Sequence, residues 1–207
     1  MSADNGSYVI KTPARNSLGC EFRVGHAQAI ENAEWPDIPV RNSYLLSAFG
    51  DSWVFGRQRR AVAMAKVLEE EIEYGCNGWG TEYGVCVIPV DTPFPHAATT
   101  PRQFGADDGV YVLKSPSQYR DGYDFRVAYA TSEVVAAAAA LNDASSNLAD
   151  IQAGAQHLSE TFGRRRGMYF SKRGRAVRAA HLIHDDIVSR DGATANGVTI
   201  VEITHSL

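Results

Sequence analysis

The chain has 207 residues, 44% of them hydrophobic and 21% charged, with a formal charge of −4; this is ordinary for a soluble globular protein of one large or two small domains. The charge argues against a general nucleic-acid binder but leaves room for a local basic patch. No apolar run approaches the roughly 18 residues that a membrane span needs, and the opening "MSADNGSYVIKT" has no basic segment followed by an apolar one, as a secretory signal would.

In chain order, a D-N-G turn leads into a strand over Ser7–Thr12. A loop containing Pro and Gly follows, then a second strand over Phe22–Ala27, and the two read as a hairpin. Residues Gln28–Gly50 hold a short helical stretch with Pro36 and Pro39. A short strand over Ser52–Phe55 leads into an amphipathic helix over Arg57–Glu73, whose apolar stripe is Ala61, Ala65, Leu68 and Ile72. The glycine-rich "GCNGWG" follows that helix rather than preceding it, so it is a connection and not a phosphate loop. A strand over Val85–Val90 closes the unit.

The same plan then recurs. "ADNGSYVIKTP" at Ala3–Pro13 returns as "ADDGVYVLKSP" at Ala106–Pro116, 103 residues on, with seven of eleven positions identical. "EFRV" at Glu21–Val24 meets "DFRV" at Asp124–Val127 at the same offset. "FGRQRRAVAMAKVLEEEI" meets "FSKRGRAVRAAHLIHDDI" 115 residues on, and "YGVCVIPV" meets "NGVTIVEI" 113 residues on. Four blocks in one order mark an internal duplication. The second copy has strands over Val110–Ser115, Phe125–Ala130, Met168–Phe170 and Val198–Ile203. Its helical stripe is Ala176, Ala180, Ile183 and Ile187. Its insertion is longer and Ala-rich, and Asn142–Ser146 breaks it into two helices. The expected fold is α+β: two tandem copies of a small, mainly antiparallel sheet with a helix on one face, related by pseudo-twofold symmetry, with extra helices in the second copy. Residues 1–91 form the first repeat, 92–104 a proline-containing linker, and 105–207 the second repeat.

The charges of the two long helices run against the helix dipole. Arg57, Arg59 and Arg60 open the first and glutamates end it; Lys172, Arg173 and Arg175 open the second, with Asp185 and Asp186 last. Plain solvated surface charge is one reading, and two explanations with a function stay open beside it. The helices pair head to tail about a twofold axis, so that basic starts meet acidic ends, or the starts bind an anion through backbone N–H groups, dipole and arginines together. Arg164, Arg165 and Arg166 add to the densest positive region of the chain. Lys11 and Lys114, and Arg23 and Arg126, recur in both copies and would line a basic groove with the helix starts, or protect sheet edges. Tyr169 and Phe170 lie close by, and one of them could stack on a base.

His26, shortly before Glu31 and Glu34, has the makings of a general base oriented by a carboxylate, but no nucleophile motif surrounds it. His181 and Asp185 are one helical turn apart, yet Lys66 and Glu70 hold the aligned positions of the first copy, so they read as solvated helix residues and not a metal site. Cys20, Cys76 and Cys86 are odd in number and lack metal-ligand spacing, which makes them free thiols of a reducing cytoplasm. No cofactor or metal is expected.

"SADNGSYVIKT", "FRVGHAQAIEN" and "EYGVCVIPV" resemble an uncharacterised family of small phage-encoded proteins. The resemblance covers Ser2–Asn32 and Tyr83–Val90 and is partial in the second copy, which has "YATSEVV" in place of "HAQAIEN". It implies a phage accessory protein acting in the cytoplasm of an infected bacterium, and a unit able to pair with itself. No catalytic residue follows from it. The expected function is therefore non-enzymatic binding of a host factor or of an anionic or nucleotide ligand, with counter-defence as one role. The alternatives are an enzyme acting on a phosphorylated or nucleotide substrate, and a phage structural or assembly protein.

Overall fold

The computed structural model describes residues 5–14, 19–28, 30, 37–50, 52–75, 84–95, 108–163, 168–191 and 197–206. The chain divides into two compact units, Met1–Arg102 and Gln103–Leu207. Unit 1 runs β1 (Asn5–Pro13), β2 (Cys20–Gln28), α1 (Ile38–Phe49), β3 (Val54–Phe55), α2 (Gln58–Gly75) and β4 (Val85–Pro89). Unit 2 runs β5 (Asp108–Pro116), β6 (Tyr123–Thr131), α3 (Glu133–Asn142), α4 (Leu148–Phe162), β7 (Met168–Phe170), α5 (Arg173–Asp191) and β8 (Val198–Glu202).

Both sheets are mixed and four-stranded, ordered β3-β2-β1-β4 and β7-β6-β5-β8. The hairpin and its short third strand are antiparallel, and the last strand lies parallel to the first. The α+β class and the tandem sheet-plus-helix units are thus as the sequence indicates. The duplication extends to register. Tyr8 pairs with Gly25 and Tyr111 with Ala128; Ser7 lies beside Val85 and Val110 beside Val198; Phe22 faces Phe55 and Phe125 faces Phe170. The backbone details repeat too. The hairpin is closed from Ala14 N–H to the Gly19 carbonyl at 3.1 Å and from Ser117 N–H to the Gly122 carbonyl at 3.0 Å. The turn glycines Gly19 and Gly122 have φ of 141° and 106°. Gly84 and Gly197, with φ of 62° and 52°, open the last strand of each unit in the left-handed region that favours glycine.

The sequence places a long helix on one face of each sheet and leaves the inserted helices unplaced; in the structure helices cover both faces. In unit 1, Tyr8, Ile10 and Ala27 pack with Leu45 and Phe49 of α1 and with Phe94. Residues alternate across a strand, so Val9 and Val24 point the other way, toward the side of the sheet where α2 buries Ala61, Met64, Ala65 and Val67. In unit 2, Tyr111, Leu113 and Ala128 pack with Val134, Ala137 and Ala138 of α3 and with Leu158 and Phe162 of α4. The opposite face receives α5 through Ala176, Ala179, Ala180, Ile183 and Ile187. This explains why Tyr8–Ile10 and Val110–Leu113 are buried without a break: a strand covered on both faces has no reason to alternate.

Local chemistry fixes the ends of the inserted helices. Asp37 caps α1 by accepting the Val40 N–H at 2.7 Å, with a proline in the first turn. Asn147 caps α4 by accepting the Asp150 N–H at 2.9 Å. Small residues permit close approach to these helices. A Cβ on Gly154 would sit 2.9 Å from the Ala137 carbonyl oxygen, and one on Gly25 would sit 2.7 Å from both the Ala48 carbonyl and the Phe49 ring.

Candidate anion-binding surfaces

The long helices begin as the sequence suggests. The Arg57 carbonyl accepts the N–H groups of Arg60 and Ala61, at 3.1 and 3.3 Å, and the Lys172 carbonyl accepts those of Arg175 and Ala176, both at 3.2 Å. Arg57 and Lys172 are therefore equivalent residues at the two helix mouths. Neither first turn holds an acidic residue. Arg57, Arg59, Lys172 and Arg173 are exposed, while Arg60 and Arg175 are partly buried. Each unit thus presents three basic side chains around a helix N-terminus, where the dipole already favours negative charge.

The recurring arginines do not join these clusters. Arg23 pairs with Ile10 and so lies on the α1 side of the sheet, opposite α2. It is 1% exposed. Its Nη1 donates to the carbonyls of Phe49 at 3.3 Å and Gly50 at 3.2 Å, and its guanidinium lies 4.0 Å from the centre of the Phe94 ring. It therefore supplies the positive charge that the last turn of α1 lacks. Burial pushes its pKa down to about 10, with the Glu21 carboxylate opposing the shift, so it stays charged at neutral pH. Arg126, its counterpart, is partly buried, and no hydrogen bond to α4 repeats the arrangement among the described residues. Lys114 is held by Glu202 at 2.6 Å and lies 3.9 Å from the Tyr123 ring centre. Lys11 and Lys114 sit on β1 and β5, which are interior strands, so the edge-protection reading does not apply to them. Arg164, Arg165 and Arg166 lie outside the described residues.

The acidic end of α5 also differs from expectation. The helix continues to Asp191 and has Arg190 in its last turn. Asp186 is fully buried, and its Oδ2 is 2.8 Å from Arg190 Nη2, one turn on. It is a structural ion pair rather than a solvated charge, and its acid-before-base order suits the dipole. His181 and Asp185 are exposed, and His184 Nδ1 is 3.7 Å from Asp185 Oδ1. No group of three potential metal ligands comes together among the described residues.

His26 is exposed and stands opposite Ser7. Partial desolvation lowers its pKa, and a hydrogen bond with the Gly6 backbone opposes the shift. Glu31 and Glu34, its expected carboxylates, are outside the described residues, as are Cys76 and the rest of residues 76–80. Its counterpart Tyr129 donates its hydroxyl to the Asp108 carboxylate. Cys20 and Cys86 are free thiols. No described helix is long and apolar enough to cross a membrane.

One polar cluster was missed by the sequence reasoning. At the hairpin end of unit 2, Asp124 Oδ1 accepts Arg120 Nη2 at 3.0 Å and the Tyr169 hydroxyl at 2.7 Å, and Arg120 Nη2 also donates to the Tyr123 carbonyl at 3.1 Å. The available signal was "QYRDGYD", in which two tyrosines flank a D-G turn that has no need of aromatic residues.

No protein-family model matches the chain, and no curated protein or solved structure matches it significantly.

Proposed function

We propose that this is a binding protein whose ligand is anionic, a phosphate-bearing molecule in the first instance, held at the basic starts of α2 and α5. The reading rests on one observation. Both copies put three cations at a helix start and keep carboxylates out of its first turn. Each such cation costs roughly 0.3–1 kcal/mol against the dipole, and an anion at the same place turns that cost into affinity. In line with the resemblance to phage-encoded proteins, the proposed place of action is the cytoplasm of an infected bacterium, and an acidic host-protein surface is a ligand of the same chemistry.

The test is thermal unfolding of the intact chain against a panel of nucleotides, inorganic polyphosphate and oligonucleotides. Ligand at about 100 times its Kd should add about 2.7 kcal/mol of stability and raise the Tm. Arg59→Ala combined with Arg173→Ala should abolish the rise. A panel without any shift, or one unchanged by the double substitution, refutes the proposal.

A further inference from the structure

β7 runs antiparallel to β6, with Tyr169 opposite Arg126 and Phe170 opposite Phe125. The chain therefore leaves β7 toward the level of Asp124 and Tyr123, and Lys172 and Arg173 open α5 at that end of the sheet. The β5–β6 hairpin turns at the same end. Three tyrosines are exposed there: Tyr119 by 73%, Tyr123 by 45% and Tyr169 by 44%. Tyr169 stands on the face of the sheet away from the Tyr123 ring and is tied to a buried carboxylate. Asp124, 3% exposed, accepts from the Tyr169 hydroxyl and from Arg120, which in turn holds the Tyr123 carbonyl. Lys114 lies against the Tyr123 ring.

The fold does not demand this set. By the repeat alignment, unit 1 has Asn16, Ser17, Cys20 and Val54 where unit 2 has Tyr119, Arg120, Tyr123 and Tyr169. The shared topology forms with either set, so the exposed rings call for another explanation.

We infer that this end of unit 2 binds single-stranded nucleic acid, with bases stacking on Tyr119 and Tyr123 and phosphates meeting Lys172 and Arg173. The inference rests on the anionic-ligand reading above and narrows it. A polyphosphate or an acidic protein needs only the cations. Exposed aromatic rings set beside cations offer faces to successive unpaired bases whatever their sequence, and a duplex hides those faces. Asp124 and Glu202 are each engaged by a cation, which leaves Asp121 as the turn's own opposing charge. The attraction is consequently local, consistent with a chain that is acidic overall.

The experiment uses the full chain, a labelled oligothymidylate of about 12 nucleotides, a duplex of equal length and inorganic polyphosphate, followed by fluorescence anisotropy and competition. The single strand should bind more tightly than the duplex, and affinity should fall as salt rises from about 50 to 200 mM. Tyr119→Leu with Tyr123→Leu should weaken oligothymidylate binding roughly tenfold or more and leave polyphosphate binding unchanged. Lys172→Ala with Arg173→Ala should weaken both. Should the double tyrosine variant fail to fold by circular dichroism, Tyr119→Leu alone, at the most exposed ring, carries the test with the same expected direction. Tyrosine variants that bind oligothymidylate like the parent, or a preference for duplex, overturn the inference. Binding of polyphosphate without oligothymidylate overturns it while sparing the anion reading, and binding of neither refutes both.

Discussion

Arg23 has a charged group held almost out of water, with its Nε and Nη2 lacking hydrogen-bond partners among the described residues. That arrangement costs free energy, and the gains that offset it are the two carbonyls at the end of α1, the dipole behind them and the Phe94 ring. Arg23→Ala removes these gains and leaves a cavity, so it should cost about 2–4 kcal/mol. Arg23→Met fills the volume and removes the unpaired charge, so it should cost less than half as much. Urea midpoints of the two variants decide the matter, and equal losses would mean that charge rather than volume holds α1 in place. None of this was legible in the sequence. The repeat of Arg23 and Arg126 suggested a shared groove, but the role of Arg23 depends on a helix end 26 residues away in the chain. Short-range pattern carries no record of such a contact. The cations at the helix mouths were legible, because their significance depends only on their place along their own helix.

At the level of elements, the strands and helices were readable because each carries its own period and its own turn chemistry. The short β3 and β7 were found only through the repeat. What pattern alone did not reveal was the second helical layer, since a buried strand and a half-buried one share the same β-branched and aromatic residues. The end of α5 was misplaced for a related reason: Asp185 and Asp186 look like a terminus until Asp186 is seen buried against Arg190. Packing distance is likewise set by single residues. A Cβ at Gly25 would collide with backbone and ring atoms of α1 at 2.7 Å, whereas unit 2 carries Ala128 at the equivalent strand position under α3 and α4. Gly25→Ala should therefore destabilise by about 1–3 kcal/mol through overpacking. Ala128→Gly should cost about 0.5–1 kcal/mol, the ordinary penalty of glycine in a strand. Chemical denaturation of both variants checks the contrast, and a stabilised Gly25→Ala protein would show that α1 is free to move outward.

For the molecule as a whole, the duplication decides what each half can do alone. Each unit has its own hydrogen-bonded sheet, covered on both faces, and its own hydrophobic cluster, which is what independent folding requires. The four repeated sequence blocks made this plan visible, since each recurs as the same element in the same register. The boundary was harder to see. The segment 92–104 reads as linker from its prolines, yet Phe94 is 1% exposed within the unit 1 core and Arg41 Nη2 holds Thr92 Oγ1 at 2.8 Å. A lone aromatic among prolines gives no periodic signal that it belongs to a core. The consequence is measurable with fragments. Residues 1–102 and 103–207 should each show native-like circular dichroism and cooperative unfolding. A fragment ending at residue 91 loses Phe94, uncovers Arg23 and opens the α1 face, so its stability should fall by about 3–5 kcal/mol relative to 1–102, the usual loss for deleting a buried phenylalanine. Because a domain of this size has only about 5–15 kcal/mol in total, the shorter fragment should unfold at markedly lower denaturant. Equal midpoints for the two would mean that unit 1 is complete without the segment beyond β4 and that its core closes without Phe94.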